Sequence, residues 1–174
     1  MEQEDSDMRT FPIAAACVSL FIGANVQAQT KAAKPASAAA AHVLLTPGEM
    51  KWGPAPPSLP AGAQIAVLDG DPSKPGFFVL RLKFPDAYKV AAHWHPTDEN
   101  ITVVQGTFRA GMGDSHTDTG LHDFPVGSYI KMPKRMHHFA TAKGEVIVQI
   151  DGQGPFVVNY VNPNDDPSKK TSTR

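Results

Sequence analysis

Between residues 64 and 161 apolar and polar residues alternate in short runs, broken by Gly, Pro and Asp. Residues 77–84 show the pattern most clearly: Phe78, Leu80, Leu82 and Phe84 are all apolar, while Arg81 and Lys83 fall between them. Side chains two apart on a strand share a face, so this run predicts a strand with one face in a core. The same reading predicts strands over 64–68, 90–95, 100–109, 128–132, 138–142, 145–150 and 156–161. The first of these ends at the turn cluster Asp69-Gly70-Asp71-Pro72. Upstream, 43–45 and 50–52 read as short strands around Pro47-Gly48, and 53–63 as a Pro-rich loop. No amphipathic helix of a dozen residues is evident, and no internal repeat. Short strands with frequent turns argue for an all-β sandwich or barrel, and their number fits a single jelly-roll β-barrel.

Chemistry concentrates in His93-Trp94-His95-Pro96-Thr97-Asp98-Glu99. His93, His95 and Glu99 share one parity; Trp94, Pro96 and Asp98 share the other. Two imidazoles and a carboxylate aimed into one space suit a divalent transition metal such as Fe, Mn, Ni or Zn. A second histidine pair follows in Pro133-Lys134-Arg135-Met136-His137-His138. A fourth ligand from this distant strand would complete the site. The candidates are His138 and its neighbour His137, which has the opposite parity and would point away.

These two segments resemble the paired motifs of the cupins. The first cupin motif reads Gly, five residues, His-x-His, three or four residues, Glu, six residues, Gly; here His93, His95, Glu99 and Gly106 stand at those spacings, with Ala87 in place of the leading Gly. The second reads Gly, five residues, Pro-x-Gly, two residues, His, three residues, Asn; here Gly127, Pro133 and His138 match, with Arg135 for the second Gly and Ala142 for the Asn. The resemblance covers roughly residues 43–161. It implies a small barrel holding one divalent metal through His93, His95, Glu99 and His138. It also implies dioxygenase, decarboxylase or isomerase chemistry on a small molecule, and often a homodimer. The runs 93–108, Gly111-Met112-Gly113-Asp114 and Gly154-Pro155-Phe156 are similar to a group of small exported bacterial cupins. A Gly at position 135 permits a turn with φ > 0, which Arg disfavours, so a different turn is expected before His138.

Ile101, Val103 and Gln105 continue the parity of Glu99 and are expected to line the cavity. Phe108 and Met112 lie on the other parity, although a turn after Gly106 can reset the facing. Gln149 interrupts an apolar strand and is expected to face water. Tyr88 and Tyr129 are pocket candidates for which core packing is the expected role. His42, His116 and His122 lie outside the metal pattern, and the 113–120 loop reads as a solvated turn.

The N-terminus adds a location. An apolar run over 11–24 follows Arg9 and ends in Val26-Gln27-Ala28. It is too short to span a bilayer comfortably and reads as a secretory signal peptide over 1–28. Glu2, Glu4, Asp5 and Asp7 are acidic where such a peptide wants positive charge, so Met8 is expected to be the natural start. Cleavage after Ala28 removes the one cysteine, Cys17, together with one basic and four acidic residues, leaving 15 against 13 and a formal charge of +2. A Cys-free chain forms no disulfides and no zinc finger, and a near-neutral balance gives no case for nucleic acid. Residues 29–41 read as an Ala-rich linker, 42–161 as the cupin domain and 162–174 as a disordered polar tail. Two functions follow: an exported metal-dependent enzyme acting on a small molecule, or a non-catalytic metal- or ligand-binding protein of the periplasm or secreted fraction, with no stable membrane span after processing.

Overall fold

The computed structural model describes residues 42–172. The sequence readings for 1–28 and 29–41 lie outside the described residues. The described part is all-β, with nine strands in one sheet and only short 3-10 turns besides. The strands are β1 (Gly53–Pro54), β2 (Gln64–Asp69), β3 (Gly76–Phe84), β4 (Lys89–Trp94), β5 (Glu99–Met112), β6 (His122–Pro125), β7 (Tyr129–Met132), β8 (His138–Gly154) and β9 (Asn159–Tyr160). Among the described residues no helix is long and apolar enough to cross a membrane.

Two long strands form the spine. β5 and β8 pair antiparallel along nearly their whole length, from Glu99 opposite Gly152 to Met112 opposite His138. The first half of β5 also pairs with β7, and the second half with β6. The far edge of β8 divides in the same way: its C-terminal half pairs with β3 and its N-terminal half with β4. One curled sheet thus presents two walls to a shared interior. The expected in-facing residues fill it: Phe78, Leu80, Leu82 and Phe84 are all buried, together with Val146, Val148 and Ile150 from β8.

The curl is made at Gly106, where the β5–β8 register shifts on both sides of Gln105. Gly106 has φ +75°, and a Cβ there would lie 2.3 Å from the Glu145 carbonyl oxygen. Only glycine fits this left-handed crossing without strain. The irregularity corrects one expectation. Gln105 does not line the cavity; it is exposed and donates to Glu145 Oε1 at 2.9 Å. Phe108 turns inward instead and is buried.

Other corrections follow from pairing. Residues 138–142 and 145–150, expected as two strands, form the single strand β8, because β5 continues to pair across the bend at Gly144. Residues 43–45 and 50–52 form no strand; no strand pairs with them, and only Gly53–Pro54 reaches β2. β6 carries no apolar alternation, so the sequence gives no sign of it. The stretch 162–172 is ordered rather than a loose tail. It makes 3-10 turns at Pro163–Asp165 and Pro167–Ser172, started by prolines and tied by Asn162 and Asp166 side chains to backbone N–H groups. Tyr129 is not packed in the core; it is 62% exposed, and its hydroxyl donates to Asn100. Tyr88 is buried and stacks on Phe84 at 5.0 Å. Gln149 faces outward as expected, accepting from Arg81 at 3.2 Å.

Both glycine replacements in the motifs keep the backbone that glycine would adopt. Ala87 has φ 59° and Arg135 φ 63°, so the expected change of turn before His138 does not occur. Hydrogen bonds hold both turns against the strain: Ala87 N–H donates to the Ala142 carbonyl, and Arg135 N–H to the His95 carbonyl at 2.8 Å. A left-handed non-glycine residue costs roughly 1–2 kcal/mol. Ala87→Gly and Arg135→Gly are therefore each expected to raise stability by up to about 1 kcal/mol, after the entropic cost of glycine, in urea unfolding.

Candidate metal centre

The fold brings His93, His95, Glu99 and His138 together, from strands far apart in sequence. His93 lies near the end of β4, directly opposite His138, the first residue of β8. His95 stands one residue beyond β4, and Glu99 opens β5. All four are buried, each at most 6% exposed. Ring centroids of His93 and His138 are 4.2 Å apart, and His95 lies 5.0 Å from the first and 5.3 Å from the second. One nitrogen from each imidazole falls within 4.8 Å of the others. Glu99 Oε2 is 3.5 Å from His95 Nε2 and 3.4 Å from His138 Nε2.

Backbone contacts decide which nitrogen is free. Nδ1 of His93 meets the Ala91 carbonyl at 2.8 Å, that of His95 the Val157 carbonyl at 2.9 Å, and that of His138 the Met136 carbonyl at 3.0 Å. A carbonyl only accepts, so each Nδ1 donates and each Nε2 is the nitrogen left for another partner. Such outer contacts fix the tautomer and aim of metal-ligating histidines. His95 Nε2 and Glu99 Oε2 are buried without any hydrogen-bond partner. Leaving such groups unsatisfied costs about 1–3 kcal/mol each, more when charged. One cation among the four side chains would satisfy both, and the donor set fits a first-row divalent ion.

The electrostatics prepare the same set. Burial, with the neighbouring His138 and His95, pushes His93 down to about 3, and burial also lowers His95. Both imidazoles are therefore neutral at ordinary pH, as ligation requires. Burial pulls His138 down too, but the adjacent Glu99 carboxylate outweighs it and holds the imidazole above its usual range. Burial pushes Glu99 up, and the three imidazoles outweigh it, so the carboxylate stays ionised.

These directions give a pH dependence for the metal-free protein. His93 and His95 bind their protons more readily unfolded than folded. Their contribution is present above the unfolded histidine value, near 6.5, and is lost as pH falls, for His93 towards about 3. Glu99 adds a loss of the same sign below about 4.5. His138 acts in the opposite sense, favouring the folded state as pH falls, and offsets part of it. Metal-stripped protein is expected to be less stable at pH 5 than at pH 7, on the order of 1 kcal/mol, read as a lower urea midpoint.

A chamber of about 50 Å³ adjoins the four side chains. Ile101 and Phe108 line it, as do Leu82, Val148 and Phe156. Val103, expected to line it, is buried in the core instead. Met112 points outward and is 52% exposed. His137 is outside the cluster, on the surface, with Nδ1 2.6 Å from Asp114. His116 bonds the Thr141 hydroxyl at 2.8 Å, and Asp118 lies 3.8 Å from Lys89, so the 113–120 loop holds no metal cluster among the described residues. Sequence reasoning missed Phe156, whose ring stacks on His95 at 4.3 Å and 15°, and Leu59, which reaches the chamber from the Pro-rich loop. Leu59 sits between strands with no periodic signal, and Phe156 lies ahead of β9, because the strand expected over 156–161 forms only at Asn159–Tyr160.

The curled all-β sheet has the cupin fold, as solved structures with the same architecture show. The polyketide cyclase RemF from Streptomyces resistomycificus superposes with a TM-score of 0.56 at 15% identity, covering 75% of this chain and 92% of its own. KdgF from Halomonas sp. gives 0.50 at 17% identity, over 66% and 96%. A cupin 2 conserved barrel domain protein from Rhodopseudomonas palustris gives 0.53 at 12%, over 70% and 86%. No curated protein matches the sequence significantly. A family model described as a domain of unknown function, DUF4437, matches residues 22–159, and the chain belongs to that family.

Proposed function

We propose that this protein is a metal-dependent cupin in which His93, His95, Glu99 and His138 hold one divalent transition metal (Fe, Mn, Ni or Zn) and present it to a small molecule. The observation that carries this reading is the set of buried inward nitrogens and carboxylate oxygen, two of them without a partner. When bound, the ion would supply Lewis acidity, or redox chemistry if it is Fe or Mn. The chain's own part is definite. Backbone carbonyls orient the rings, Glu99 offsets the charge, and the apolar walls keep bulk water away.

Dioxygenase, decarboxylase and isomerase chemistry are the reaction classes that the cupin resemblance implies, and one fold neighbour is described as a polyketide cyclase. Among the described residues lining the chamber, no titratable side chain stands apart from the four ligands. This favours, as a second reading, a protein that binds the metal or a small ligand without converting it. Elemental analysis of protein purified from its host without chelators tests the shared claim. About one transition metal per chain is expected; a site that is empty and refuses added metal overturns it. Oxygen-consumption and turnover screens with candidate small molecules then separate the two readings.

Export is part of the same proposal. The intact mass of protein recovered from the host envelope is expected to correspond to a chain beginning at Gln29. Full-length protein retained in the cytoplasm would contradict export, and a precursor peptide containing Glu2 would rule out a start at Met8.

A further inference from the structure

We propose that the cleft beside the metal chamber receives the apolar tail of the ligand, so that the molecule recognised is a small amphiphile with an oxygen-donor head group and a hydrocarbon tail. This inference rests on the metal-centre reading and names its ligand class.

The chamber, at about 50 Å³, has room for only a few water-sized groups. It suits a carboxylate or hydroxamate head beside an ion and is too small for a whole substrate, since ligand pockets usually run to several hundred Å³. A second cavity of about 310 Å³ lies against it. Leu59, Leu82, Phe156 and Val158 line both, so an apolar partition separates the two spaces. Leu82 is fixed within β3, whereas Leu59 and Phe156 stand on connecting segments. Two hydroxyls pin the backbone on either side of Leu59: Tyr160 donates to the Ser58 carbonyl at 2.7 Å, and Tyr88 to that of Pro60. The backbone is held while the Leu59 side chain projects into the partition. A change of the Leu59 rotamer is the movement that the proposal requires to join the two spaces.

The lining sets the chemistry. The far wall of the cleft is built by Ile65, Leu80 and the prolines 56 and 72. Its hydroxyl side chains are Ser58 and Ser73, and Ser73 Oγ is committed to Asp71 at 2.6 Å. Outside the four residues of the metal set, no ionisable side chain lines either space. A sugar, phosphate or ammonium group would be desolvated there without compensation. A ligand with one polar head on the ion and a tail of hydrocarbon meets no such cost.

The test uses the full-length mature protein loaded with Zn²⁺ and titrated calorimetrically with aceto-, butyro-, hexano- and octanohydroxamate. Affinity is expected to rise about 2–4-fold per added methylene until the cleft is full. Ile65→Trp fills the cleft from its far wall and is expected to flatten the series while leaving acetohydroxamate binding unchanged. Ser73→Phe, at the exposed rim, serves the same purpose if the first variant folds poorly. A flat series in the unaltered protein, with acetohydroxamate bound, overturns the tail cleft and leaves the metal centre standing. A slope that survives both substitutions overturns the location. Zn²⁺ uptake without acetohydroxamate binding overturns the ligand class, and failure to take up Zn²⁺ overturns this inference together with the metal reading.

Discussion

On the proposed metal centre, His95→Ala and Glu99→Ala are each expected to abolish metal uptake while the fold survives. Each removes one of the four proposed donors, and His95 Nε2 and Glu99 Oε2 are two of the three buried side-chain atoms among the described residues that lack a hydrogen-bond partner, Thr97 Oγ1 being the third. Losing an outer-shell contact typically lowers metal affinity about 10–100-fold, so losing a ligand is expected to cost at least about 100-fold. Metal content after dialysis is the readout, and circular dichroism reports the fold. The fold should persist because the walls of the chamber are built by β3, β5 and β8, whose pairing these side chains do not make. Glu99→Gln preserves the volume and gives a control for packing. His137→Ala should retain its metal, since that ring lies outside, paired with Asp114. Unchanged metal content in both the His95 and Glu99 variants would refute the assignment.

Gly106→Ala is expected to cost about 3 kcal/mol or more in urea unfolding, with poor soluble yield. Two effects add. A left-handed alanine costs roughly 1–2 kcal/mol. The new Cβ would also stand 2.3 Å from the Glu145 carbonyl, a backbone atom that cannot move without disturbing the β5–β8 pairing. Gly144→Ala separates the two effects. It has nearly the same φ, +74°, but a Cβ added there would meet nothing within 4 Å, so only the conformational cost, about 1 kcal/mol, is expected. Equal losses at the two positions would show that the close approach does not matter.

The alternation in 77–84 predicted a buried face, and that face is buried without exception at Phe78, Leu80, Leu82 and Phe84. Parity worked there because β3 is regular throughout its pairing with β8. In β5 the same argument worked as far as Ile101 and failed at Gln105, since the bulges beside Gly106 shift the facing by one residue and turn Phe108 and Ala110 inward. The 43–45 run shows another limit. Its residues have the composition of a strand but no neighbour to pair with, and Leu44 is 84% exposed. The tail shows the reverse: its polar composition suggested disorder, yet prolines and Asn and Asp caps order it as 3-10 turns.

What the sequence determined by itself was the all-β class, the cupin motif spacings and the shared parity of His93, His95 and Glu99, with His138 and His137 as candidates for the fourth position. These are local properties: strand periodicity, turn residues and the interval between histidines. The tertiary structure alone decided that His93 faces His138 across the β4–β8 pairing. It alone supplied the carbonyls of Ala91, Val157 and Met136 that aim the three rings, and it brought Leu59 and Phe156 to the chamber wall. It also held Ala87 and Arg135 in the glycine conformation through backbone hydrogen bonds to distant partners. Most of these contacts join residues far apart in the chain. Their existence depends on which strands pair and where a bulge falls, and side-chain periodicity carries no record of either.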